Sequence, residues 1–123
     1  MIRVNNLTAK AINEDFLKRV AKIVLKGGKK PDMDLSIALV GQARIKELNK
    51  QYRGKNKATD VLSFKYDNNS GEVVICPQKT KMLPRVLVHG ILHILGFTHP
   101  SASSGQANKM EKKEDFYLGK AMK

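Results

Sequence analysis

The chain has 123 residues, 41% of them hydrophobic, which fits one domain spanning 1–123 with a single core of Leu, Ile and Val and leaves no room for two ordinary domains. Its 23 Lys and Arg against 11 Asp and Glu give a formal net charge of +12; such a surface attracts polyanions, nucleic acid first and an anionic membrane surface second. One cysteine excludes an internal disulfide, no apolar stretch approaches the ~20 residues of a membrane span, and the N-terminus MIRVNNLTAK lacks a secretory core, so the expected compartment is the cytoplasm.

In chain order, Ile2 and Val4 alternate with polar residues and predict a short opening strand. Asn13 is placed to cap a helix, with Glu14 and Asp15 in its positive first turn and Phe16, Leu17, Val20, Ile23 and Val24 as its apolar stripe. Gly27 and Gly28 end it. Asp34 to Val40 is a compact apolar run, expected to be a strand buried on both faces. A helix follows over Gln42 to Tyr52, with Ile45, Leu48 and Tyr52 inward. Arg53 to Ala58 is a basic loop. Asp60 to Tyr66 and Glu72 to Cys76 form an antiparallel hairpin around the polar turn Asp67 to Gly71, and Cys76 is a small buried strand residue. Pro84 suits the first turn of a helix over Leu83 to Leu95. After a Ser- and Gly-rich loop, a last helix runs from Gln106 to Met122, with Met110, Tyr117 and Ala121 able to face the core. No internal repeat appears. The order βαβαββαα describes an α/β (α+β) fold, a mixed sheet of about four strands with surrounding helices, the first two strands parallel.

All three histidines lie in one segment, HGILHILGFTH. His89 and His93 stand one turn apart on one helix face. Gly96 can take the left-handed conformation that stops the helix and turns the chain, which would return His99 to the same place. Three neutral imidazoles suit zinc and leave its fourth tetrahedral position open, the mark of a catalytic centre, where bound water is activated near neutral pH. With no anionic ligand, the ion's double charge favours an anionic substrate. The spacing HxxxHxxGxxH is also that of metzincin proteases, which carry a Glu base after the first histidine. Here that position is Gly90, which cannot take a proton.

The histidine segment resembles the most specific motif of the YbeY family, bacterial zinc-dependent endoribonucleases linked to ribosomal RNA maturation. A second block, LNKQYRGKNKATDVLSF from Leu48 to Phe64, is similar to that family's segment around its functional arginine, and GEVVIC, Gly71 to Cys76, resembles the strand after it. The resemblance implies zinc on His89, His93 and His99 and a functional role for Arg53. It implies as partners RNA, expected to be ribosomal RNA or ribosomal particles, and no membrane. Arg53 would grip the scissile phosphate. Lys55, Lys57 and Lys65 continue the basic stretch along the backbone, and Arg85, four residues before His89, is a further phosphate candidate. The general base stays open between Asp60 and Glu72. Single-stranded RNA fits better than duplex.

The chain departs from the family in three places. Phe97 and Thr98 replace its usual Tyr-Asp, Lys65 stands where proline is common, and the segment between Cys76 and the histidine helix lacks the usual extra helix. Two rival functions are a ribosome-assembly factor that binds RNA without cutting it and a minimal zinc metalloprotease.

Overall fold

The computed structural model describes residues 1–97 and 104–122, and side chains outside 104–110. The elements follow as β1 (Ile2–Asn6), α1 (Glu14–Gly27), β2 (Asp34–Leu39), α2 (Gln42–Arg53), β3 (Val61–Asp67), β4 (Ser70–Ile75), a short 3-10 turn (Pro77–Lys79), α3 (Leu83–Ile94) and α4 (Ser104–Ala121). Local signals set several boundaries. Asn13 Oδ1 accepts from Phe16 N–H at 3.0 Å, satisfying a free donor at the start of α1. Gly28 caps its end through Val24 O and Lys26 O. Pro84 occupies the first turn of α3, where no helical N–H is needed.

The four strands form one sheet in the order β1-β2-β4-β3. β1 and β4 flank β2 in parallel, and β3 runs antiparallel to β4 as an edge strand. Ile37 sits between Val4 and Val73 in register. Because strand side chains alternate, the two faces carry different sets. Leu35, Ile37, Leu39, Val73 and Ile75 pack with Leu17, Val20 and Val24 of α1, Leu87 and Ile91 of α3, and Tyr117 and Ala121 of α4 in the main core. Val74 and Leu62 point the other way and meet Ile45 of α2, with Val40 and the buried Cys76, in a smaller cluster. Thus α1, α3 and α4 cover one face and α2 only part of the other.

That asymmetry corrects two expectations. β2 is fully covered on one face alone: Leu35, Ile37 and Leu39 are buried, whereas Ser36 and Ala38 are only half-buried. Tyr52 does not face a core but is 60% exposed; Ile45 and Leu48 do pack inward, and the buried Asn49 joins them on the inner face of α2. Met110 falls among the side chains outside the description.

α3 is apolar nearly all round, with Val86, Leu87, Val88, Gly90, Ile91, Leu92 and Ile94 buried, as a helix clamped between a sheet and two other helices must be. Arg85, His89 and His93, at i, i+4 and i+8, are its half-buried polar stripe.

Candidate metal centre and cleft

A cleft of about 720 Å³ runs along the edge strand β3, lined by Tyr52, Arg53, Thr59, Asp60 and by residues 61–64, His89 and His93. Alternation along β3 explains how it joins two sides of the sheet. Val61 and Ser63 lie toward α3, and Leu62 and Phe64 toward α2. With no further strand beyond β3 among the described residues, helices on opposite faces both reach the cleft around its edge. α3 brings the two histidines, and the last turn of α2 brings Arg53, with Gly54 in the left-handed conformation ending the helix just after it.

The histidine rings converge. Their centroids are 4.5 Å apart, and His89 Nε2 stands 3.0 Å from His93 Nε2. Two imidazole nitrogens on a tetrahedral zinc, each ~2.0–2.1 Å from the metal, are separated by about 3.3 Å. The pair therefore fits two corners of such a centre with a small ring movement. Gly96 has φ +104°, so the chain does take the left-handed turn after α3 that only glycine adopts easily. Phe97 follows half-buried, with Lys113 Nζ of α4 4.9 Å over its ring. Thr98 and His99 lie outside the described residues, and within those no set of three metal-ligating side chains gathers.

Gly90 has a packing reason. A Cβ there would stand 2.7 Å from Val73 Cγ1, 3.0 Å from Ser63 Oγ and 3.2 Å from Val61 Cγ2. Ser63 Oγ donates to Gly90 O at 2.9 Å, pinning α3 against β3. The position that carries the base in metzincins is here pressed against the sheet, with no space for a carboxylate.

Arg85, expected to reach toward the cleft, is engaged elsewhere. Its Nη1 donates to Glu114 Oε1 at 3.0 Å and its Nη2 to Asp115 Oδ1. These bonds, Asp115's first, hold its guanidinium protonated more firmly than usual. Lys55 and Lys57 are exposed on the loop after α2. Asn49, buried in α2, organises that loop: its Nδ2 donates to Lys57 O at 2.9 Å, and its backbone carbonyl accepts from Lys55 N–H at 3.3 Å. Asp60 is the carboxylate on the cleft wall among the described residues. Glu72 instead faces a separate groove with Arg3 and Ser36 and accepts from Tyr66 O–H at 2.7 Å.

A family model described as Endoribonuclease YbeY matches residues 3–122. The chain belongs to the YbeY family. It is 39% identical to the endoribonuclease YbeY of Thermodesulfovibrio yellowstonii over 82% of this chain and 74% of that one. With the YbeY of Petrotoga mobilis the identity is 33%, over 98% of this chain and 94% of its relative. The solution structure of TM1509 from Thermotoga maritima superposes with a TM-score of 0.60 at 27% identity, covering 98% of this chain and 91% of that one.

Within this YbeY chain, sequence reasoning overlooked three residues beside the site: Asn49, Ser63 and Glu114. Asn49 left a trace, a polar residue one turn after Ile45 on the inward stripe of α2. Ser63 and Glu114 left none, because each acts across a contact between elements far apart in sequence. The 3-10 turn at Pro77–Lys79 is the whole structured content of the short segment between β4 and α3.

Proposed function

We propose that this chain is a zinc-dependent endoribonuclease that cuts single-stranded RNA and serves ribosomal RNA maturation. One observation carries the reading: Arg53 and the paired Nε2 atoms of His89 and His93 line one cleft although they come from helices on opposite faces of the sheet. His89, His93 and His99 would hold the ion, which when bound supplies a Lewis acid and an activated water at neutral pH. Family membership supports the RNA substrate.

The chain's own residues divide the rest of the work. Arg53, with a planar fork of donors, grips non-bridging phosphate oxygens and offsets charge developing on them. Asp60, on the same wall, is placed to accept a proton from the attacking oxygen. Tyr52, edge-to-face on Phe64 at 5.2 Å and largely exposed, offers a ring against which a splayed base can stack. Lys55 and Lys57 follow the backbone away from the cleft. The protease alternative loses its base at Gly90.

Purified protein, assayed on a defined single-stranded RNA with zinc content measured in parallel, tests this. His93→Ala should lose both zinc and cutting. Arg53→Ala should stay zinc-loaded and cut about 10²–10³-fold more slowly. Asp60→Asn should stay loaded and lose about 10²-fold or more. An Arg53→Ala protein that no longer cuts RNA yet supports ribosomal RNA maturation in full would transfer the function to a non-cutting assembly factor.

A further inference from the structure

Glu114 is 7% exposed and sits on α4, far in sequence from the cleft residues. A buried carboxylate is unfavourable unless its oxygens are paired. Both are. Oε1 accepts from Arg85 Nη1 at 3.0 Å, and Oε2 lies 2.8 Å from His89 Nδ1. An ionised carboxylate only accepts, so the proton of that bond is on Nδ1. A neutral imidazole carries a single N–H, so the Nε2 facing His93 then presents a lone pair.

We propose that Glu114 is a positioning residue for the metal centre: it fixes the tautomer and the ring plane of His89 so that Nε2 is directed at the cation. The inference rests on the metal reading above. The geometry is that of a carboxylate behind a ligating histidine, which also raises the ligand's basicity. Glu114 is itself held by Arg85, and Arg85 by Asp115. α4 thus supports the centre from behind, and His89 cannot rotate without breaking its part-buried bond to Glu114. A merely structural interhelical ion pair would need Arg85 and Glu114 but would leave zinc affinity indifferent to the His89 contact.

The two roles separate experimentally in the full chain. Zinc affinity is measured by competition with a chromophoric chelator, and the melting temperature is recorded beside it. Glu114→Gln keeps the shape and one acceptor oxygen and should weaken zinc binding about 10-fold; Glu114→Ala should weaken it about 100-fold. Asp115→Asn loosens Arg85 without touching His89 and should leave zinc affinity within about twofold. In zinc-loaded wild type, ¹⁵N–¹H spectra should show a slowly exchanging His89 Nδ1 proton that moves upfield in Glu114→Gln. If Glu114→Ala fails to fold, Glu114→Gln and the spectra decide. Zinc affinity unchanged in Glu114→Gln, or lowered equally in Asp115→Asn, overturns the positioning role while leaving the metal reading intact. A wild-type chain that takes up no stoichiometric zinc overturns both.

Discussion

At the scale of single residues, the hairpin and the cleft use carboxylates differently. Glu72 is committed to Tyr66, whose O–H donates to it at 2.7 Å. That hydrogen bond, then burial and the carboxylate's charge, push the Tyr66 phenol up from 10.0 to about 12. Below the ordinary value both folded and unfolded chains keep the proton, and the bond contributes fully. As pH rises through about 12 the folded chain also loses it, and the contribution disappears. Of the three tyrosines in the chain, Tyr66 should therefore ionise late in an ultraviolet titration, and Glu72→Gln should move that late step toward 10. A Glu72 engaged on the hairpin is also a poor base for chemistry in the cleft, which leaves Asp60. Sequence alone could not choose between the two, since each sits in a motif block. Only the groove each lines separates them, the cleft along β3 for Asp60 and the groove with Arg3 and Ser36 for Glu72.

At the scale of elements, the decisive contact is α3 on β3 and β4. The helix lies close enough that Gly90 has no room for a Cβ, with Val73 Cγ1 2.7 Å from where it would stand. Gly90→Ala gains ~1 kcal/mol of helix propensity. It loses more by overpacking a buried strand side chain, ~1–3 kcal/mol. The expected net result is a destabilisation of about 1 kcal/mol in denaturant unfolding, with weaker zinc binding as α3 lifts and His89 and His93 shift from the cleft. An unchanged midpoint would show that the helix has slack there. The sequence marked Gly90 by what it lacks, a proteolytic base, and the packing gives the physical cause. The same elements explain why Tyr52 is exposed where its spacing predicts burial. Its spacing from Ile45 and Leu48 is that of a core residue, but α2 covers only the β3–β4 end of its face and its last turn overhangs the edge.

At the scale of the whole molecule, the charge of +12 is a property of affinity more than of chemistry. Each phosphate contact on a single strand contributes about 0.7 to the slope of log affinity against log salt. Replacing Arg53, Lys55 and Lys57 together by Ala should lower that slope by about 2, measured by fluorescence anisotropy on single-stranded RNA across moderate salt. A slope that stays put would move the RNA path to another surface. Arg85 belongs outside this group, because Glu114 and Asp115 already offset its charge. No helix among the described residues is long and apolar enough to cross a membrane.

Local pattern alone determined the order of elements, the Asn13 cap, the parallel start of the sheet, the β3–β4 hairpin, the Gly96 turn and the pairing of His89 with His93. Each depends on residues a few positions apart, where helical and strand periods dictate geometry. The tertiary structure decided what joins those pieces: Arg53 brought to the histidines' cleft around an edge strand, Ser63 clasping the helix, Asn49 bracing the basic loop, and Glu114 behind His89 with Arg85 turned away from the cleft. Each joins residues from different elements or loops. Their partners are selected by how helices dock on the sheet, and no periodicity within either segment encodes that.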